Sequence, residues 1–107
     1  MQKLTRRQVL ASTALLPLAA AAPAQAATYQ VTIQGMAYSP ASFKVAAGDT
    51  IIFVNSDRMP HTATAEDGAF DTGVINPGQS VQVTIPAGTH PYYCTLHPMM
   101  KGVATAT

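Results

Sequence analysis

Nine residues, Tyr92 to Met100, read Tyr-Tyr-Cys-Thr-Leu-His-Pro-Met-Met and gather three soft or borderline metal donors on one short stretch. Cys94 is the chain's only cysteine, so it forms no disulfide within the chain, and a lone thiol in a small domain needs a chemical reason. Cys94, His97 and a methionine at 99 or 100 offer a thiolate, an imidazole and a thioether, a combination that selects copper over hard cations. His61, in Met59-Pro60-His61-Thr62, is the best candidate for a second imidazole. Two histidines and a cysteine with a weak axial methionine form the donor set of a blue-copper electron-transfer site.

Other chemistries compete for the same residues. A free cysteine is often only a small buried hydrophobe, but that reading leaves the spacing of His97 and Met100 and the presence of His61 unexplained. Zinc also takes cysteine and histidine, yet a structural zinc site wants four strong donors and methionine is a poor fourth. A cysteine nucleophile with His61 or His97 as base needs a thiolate open to substrate and a third group to orient the base. The sequence offers no obvious orienting acid. His90 lies on the same strand face as Tyr92 and Cys94, and is expected to be partly buried and hydrogen-bonded to a neighbour rather than a ligand.

An exported chain sharpens the question of the thiol. Lys3, Arg6 and Arg7 make a positive start, Val9 to Ala22 is apolar, and Ala24-Gln25-Ala26 has the small residues of a secretory cleavage site. Thr5-Arg6-Arg7-Gln8-Val9-Leu10 also fits a twin-arginine signal. The apolar stretch has 14 residues and contains Pro17, short of the roughly 18 to 20 that span a bilayer. Residues 1–26 are therefore expected to be a cleavable export signal and residues 27–107 a single domain, periplasmic or secreted, with no stable membrane insertion. In such an oxidising compartment an exposed thiol is oxidised unless burial or a metal protects it. The 81 residues left carry Lys44, Arg58 and Lys101 against Asp49, Asp57, Glu66, Asp67 and Asp71, a net charge of −2 that speaks against nucleic acid.

The elements that must position these donors are strands. Tyr29, Val31 and Ile33 alternate with polar residues up to Gly35; Ser42 to Ala46 predicts a second strand, and the apolar run Thr50 to Asn55 a central one. His61 to Ala65 predicts a fourth, weaker strand, and the Gly- and Pro-rich stretch from Glu66 to Gly78 a loop with one short edge strand near Phe70. Val81, Val83 and Ile85 alternate in the next strand; Thr89 to Cys94 and Lys101 to Thr107 complete the set. Seven to eight short strands without helical periodicity predict an all-β, two-sheet Greek-key β-sandwich.

With His61 and the Cys94 to Met100 loop in view, residues 29–107 resemble the cupredoxins, and within them the short-loop amicyanin type. The resemblance rests on Gly48-Asp49-Thr50, Asn55, Met59-Pro60-His61, Gly88-Thr89 and Cys94-Thr95-Leu96-His97-Pro98-Met99-Met100-Lys101-Gly102. It implies one copper per chain, held by His61, Cys94 and His97 with Met100 axial, and a monomeric carrier of single electrons that transforms no substrate. Its partners would be redox proteins such as a c-type cytochrome or a dehydrogenase, docking near His97 on a patch of Met59, Pro60, Leu96, Pro98 and Met99. A copper-binding protein for storage, delivery or tolerance is the alternative. The sequence departs from the family twice. Thr62 stands where an asparagine usually ties the first histidine's strand to the cysteine loop, and the shorter hydroxyl is expected to fall short. Leu96 replaces a proline, and its N–H is expected to reach the thiolate. Tyr93 is expected to face outward.

Overall fold

The computed structural model describes residues 27–107; the expected export signal, residues 1–26, lies outside the described residues. Eight strands follow in order: β1 (Thr28–Ile33), β2 (Tyr38–Ser39), β3 (Ser42–Val45), β4 (Thr50–Asn55), β5 (Thr64–Ala65), β6 (Ser80–Thr84), β7 (Gly88–Tyr93) and β8 (Lys101–Ala106). They form two four-stranded sheets, ordered β2-β1-β4-β6 and β3-β8-β7-β5. Each sheet contains one parallel pair, β1 with β4 and β3 with β8, and its other pairs are antiparallel. This is the expected all-β sandwich. No helix among the described residues is long and apolar enough to cross a membrane.

Alternation along each strand decides what the sandwich encloses. Val31 and Ile33 of β1, Ile51 and Phe53 of β4, and Tyr92 of β7 point inward and are fully buried. The aromatic residues gather around Tyr92, with Phe43, Tyr38, Phe53 and Phe70 at centroid distances of 4.7 to 6.3 Å. Small residues share this core: Ala63, Ala65, Ala104 and Ala106 are buried in it. Gly102 pairs with Tyr92 across β7 and β8. A Cβ on Gly102 would lie 2.2 Å from the Ala41 carbonyl oxygen and 2.5 Å from the Tyr92 ring. Glycine is required there by close approach, not by its backbone angles.

Two expectations about strands are corrected. His61 to Ala65 is not a continuous strand: only Thr64–Ala65 pairs in the sheet, and His61 makes an isolated bridge to Ile75. The reason lies in where the backbone donors go. The Thr62 N–H turns to the Cys94 sulfur and the Ala63 N–H to the Thr72 hydroxyl, so neither joins a ladder. Tyr38–Ser39, to which the sequence assigned no strand, pairs antiparallel with the end of β1. Gly35 and Met36 between them have φ of 64° and 62°. Two successive left-handed residues make the tight hairpin turn that matches strand twist, closed by the Gln34 N–H on the Ala37 carbonyl at 3.0 Å.

Candidate metal centre

The site lies between the end of β7, the loop that leads to β8, and the segment between β4 and β5. Cys94 follows β7 directly and continues its alternation, so its side chain enters the interior after His90 and Tyr92. The loop is held shut by its own backbone: the Cys94 N–H donates to the Met100 carbonyl at 3.1 Å, and the Met100 N–H to the His97 carbonyl at 2.9 Å. From the other side, the His61 N–H and carbonyl both pair with Ile75, at 3.1 and 2.7 Å. Buried Asn55 braces the approach to His61, its amide donating to the Met59 and Ile75 carbonyls, each at 2.8 Å.

Three of the expected ligands meet. The donor atoms of His61, Cys94 and His97 lie within 4.8 Å of one another. Cys94 Sγ is 3.8 Å from His61 Nδ1 and 3.7 Å from His97 Nδ1. The imidazole centroids are 4.9 Å apart, with ring planes tilted by 58°. With bond lengths usual for a first-row dication, about 2.3 Å to sulfur and about 2.0 Å to nitrogen, these separations correspond to sulfur–metal–nitrogen angles of roughly 120°. Both rings present Nδ1, one thiolate completes the set, and the donor types suit copper. His61 and Cys94 are fully buried and His97 is half-buried. Of the two adjacent methionines, Met100 is 2% exposed and Met99 76% exposed.

The surroundings correct three expectations. The Thr62 hydroxyl does reach across: it accepts the Thr95 N–H at 2.9 Å and lies 3.3 Å from the Thr95 hydroxyl, so a threonine clamps the ligand loop. The thiolate's backbone donor is the Thr62 N–H at 3.3 Å. Among the described residues no hydrogen bond runs from the Leu96 N–H to the sulfur. Third, the second nitrogen of His61 meets an acid, with Nε2 2.8 Å from Asp57 Oδ2. That carboxylate also accepts the Arg58 and Met36 N–H groups, at 2.9 and 3.1 Å. The Arg58 N–H, then the His61 ring and the Met36 N–H, hold its carboxyl below the usual carboxylate range. Sequence reasoning missed Asp57, whose place four residues before His61 in a non-helical segment does not distinguish it from a surface acid.

Thr62 has a further role. The Tyr38 hydroxyl donates to its carbonyl, linking the metal centre to the aromatic core. Burial, with the nearby Cys94 second, pushes the Tyr38 hydroxyl far above its ordinary pKa. His90 stands apart from the site. It is buried between Asp67 Oδ2 at 2.7 Å and the Pro86 carbonyl at 2.8 Å, as expected for a hydrogen-bonded histidine that is not a ligand. The Asp67 carboxylate, with the Pro86 carbonyl second, raises its pKa. Tyr93 is half-buried and lines a cleft of about 390 Å³ with Ala65, Glu66, Pro98 and Lys101. Met59, Leu96 and Met99 are exposed apolar residues on the two segments that bring His61 and His97 together.

A cupredoxin-like domain model matches residues 8–106. Amicyanin from Paracoccus versutus is 36% identical over 93 residues, covering 80% of this chain and 69% of the relative. Plastocyanin from Vicia faba is 35% identical over 77 residues, covering 59% of this chain and 78% of the relative. The solved structure of an amicyanin variant in its reduced Cu(I) form superposes with a TM-score of 0.69 at 31% identity, covering 85% of this chain and 91% of the other. Family, donor set and donor geometry agree: the chain belongs to the cupredoxin-like family, and copper is its cofactor.

Proposed function

We propose that this chain is a periplasmic or secreted carrier of single electrons. Its copper would be held by His61, Cys94 and His97, with Met100 as the weak axial donor. Copper supplies the Cu(II)/Cu(I) couple, and the chain's residues do the rest. The observation that carries the reading is a buried donor set held by hydrogen bonds that do not depend on a metal. The Thr62 N–H fixes the sulfur, the Thr62 hydroxyl the following peptide, and Met100 both ends of the loop. A site fixed in this way alters little between oxidation states, so an electron moves with little nuclear rearrangement. The burial of Met100 and the exposure of Met99 support the axial assignment.

His97 is the route outward, since it is the one half-buried ligand of the three. Met59, Leu96 and Met99, with Pro60 and Pro98, would form the surface on which a redox partner such as a c-type cytochrome or a dehydrogenase docks. Enzymatic use of the thiolate is disfavoured although Asp57 orients His61, because Cys94 is 0% exposed and no substrate reaches it. Storage or delivery is disfavoured on similar grounds, because exchange calls for accessible ligands and two of the three are buried.

The test is titration of the purified protein with Cu(II), followed by stopped-flow mixing of the reduced form with an oxidised c-type cytochrome. One equivalent should produce an intense thiolate-to-copper band in the red, absent in Cys94→Ser, and the band should return on mixing with the cytochrome. A colourless complex overturns the site. A blue protein that hands copper to a chelating acceptor faster than it exchanges electrons overturns the carrier role.

A further inference from the structure

The two imidazoles of the site differ on their far sides. His61 turns Nδ1 toward Cys94 and Nε2 toward Asp57, and its side chain is completely buried, whereas Asp57 is 16% exposed. A buried ring N–H requires an acceptor, and here the acceptor is a carboxylate at 2.8 Å. His97 also faces the sulfur through Nδ1, but among the described residues no protein group accepts from its Nε2.

The carboxylate is fixed in its turn. Oδ2 accepts from Met36, which sits at φ 62° in the β1–β2 turn, and Oδ1 accepts from Arg58. The Asp57 N–H donates to Asn55 Oδ1 at 2.9 Å, and Asn55 is fully buried at the end of β4. Asp57 is thus held from the strand that leads into it and from the hairpin beside it. Neither its position nor its distance from His61 depends on a flexible surface side chain.

We propose that Asp57 is a positioning residue that selects the tautomer of His61 and, through its charge, biases the bound copper toward Cu(II), lowering the reduction potential. The inference rests on the copper-carrier reading above. An acceptor on the far nitrogen fixes the proton at Nε2 and leaves Nδ1 as the donor. A carboxylate in that role also makes the ring a stronger donor and adds a negative charge one ring away from the metal. Both effects favour the more highly charged ion. His97, without such a partner, keeps its outer edge available.

Asp57→Asn removes the charge while its amide oxygen still accepts from His61 and Met36; the NH₂ then faces the Arg58 N–H, so the one bond lost is an exposed one. The expected result is a retained blue band with Cu(II) binding weakened about tenfold relative to Cu(I), which for one electron raises the potential by about 59 mV. Asp57→Ala should bind Cu(II) 10- to 100-fold more weakly, in the range seen when such outer partners are removed. A readout without metal is long-range ¹H–¹⁵N NMR of the metal-free protein. His61 should be the Nε2–H tautomer with a slowly exchanging proton in the native chain and in Asp57→Asn, and lose that protection in Asp57→Ala. A folded, blue Asp57→Asn with a ratio changed less than about twofold, roughly 18 mV by the same conversion, overturns the charge effect. An unprotected or Nδ1–H ring in the native protein overturns the positioning. A native protein that is not blue defeats the carrier reading, and the NMR result still judges Asp57.

Discussion

Replacing Gly102 with alanine tests whether the spacing of β7 and β8 is set by one missing side chain. The new Cβ would lie 2.2 Å from the Ala41 oxygen and 2.5 Å from the Tyr92 Cζ and hydroxyl oxygen. Neither neighbour yields easily. The Ala41 carbonyl accepts two hydrogen bonds, from the Val103 N–H and the Tyr92 hydroxyl, each at 3.0 Å. Tyr92 is fully buried, with Tyr38 packed edge-on at a centroid distance of 4.7 Å. Overpacking a core costs about 1–3 kcal/mol, and two lost hydrogen bonds add about 0.5–1.5 kcal/mol each. A total near 4 kcal/mol is a large share of the roughly 5–15 kcal/mol that holds a domain folded. At about 4–8 °C per kcal/mol in a domain this size, melting should fall by roughly 15–30 °C. The assay is thermal and urea unfolding of the metal-free protein, since bound copper would add its own stabilisation. Gly102→Ala combined with Tyr92→Phe should recover no more than about 1 kcal/mol, the scale of one hydrogen-bonding group, because the Ala41 oxygen and the ring remain in the way. A single variant that loses less than about 1 kcal/mol, well below the usual overpacking cost, would show that β8 moves aside freely and refute the argument.

Thr62→Val keeps the backbone donor to Cys94 but removes the acceptor of the Thr95 N–H; urea unfolding should show a loss of about 0.5–1.5 kcal/mol with the blue band retained. Leu96→Pro should leave the potential measured by voltammetry nearly unchanged, because the sulfur's backbone donor is Thr62. Met100→Gln should shift the spectrum and lower the potential, since an amide oxygen favours Cu(II) more than a thioether does, while Met99→Gln should leave both in place and slow reaction with a partner. For His90 the raised pKa means that its stabilising effect is full below its ordinary value of 6.5 and is lost as pH rises through the folded value; for Asp67, lowered by His90 first and the Ala69 N–H second, the effect is present above the ordinary 3.8 and lost as pH falls through the folded value. Melting temperature should therefore fall as pH rises above 6.5 in the native protein and fall less in His90→Gln.

Strand alternation was legible because burial acts on side chains one at a time. Thr50–Asn55 was bounded correctly, and Val31, Ile33, Ile51 and Phe53 point inward as their period requires. That His61, Cys94 and His97 would meet was legible because cysteine, histidine and methionine seldom crowd together without a metal. Contacts made by the backbone were not. Nothing in the letters says that the Thr62 N–H leaves its ladder for a sulfur, or that this departure brings the hydroxyl within reach of Thr95. The breadth of β5 was overestimated for the same reason. Asp57 was passed over because a surface acid and an acid facing a buried ring look alike until the turn at Met36 is built beside it.

The pairing of β8 governs the order in which the molecule can assemble. Cys94, His97 and Met100 all precede this strand in the chain, yet β8 is the bridge between its neighbours, pairing with β7 on one side and in parallel with β3 on the other. Ser42 must wait for Val103 before their sheet closes. Such distant pairings slow folding, because the loop must close before the contact rewards it. A nascent chain halted before Lys101 would hold His61, Cys94 and His97 and lack the strand that pairs with β7 just beyond their loop. Copper reaching it then would meet a loose thiol and mobile imidazoles, a setting for stray oxidation more than for a defined centre. Completion of the last six-residue strand is thus the step that separates a polypeptide carrying donors from one able to receive its metal safely.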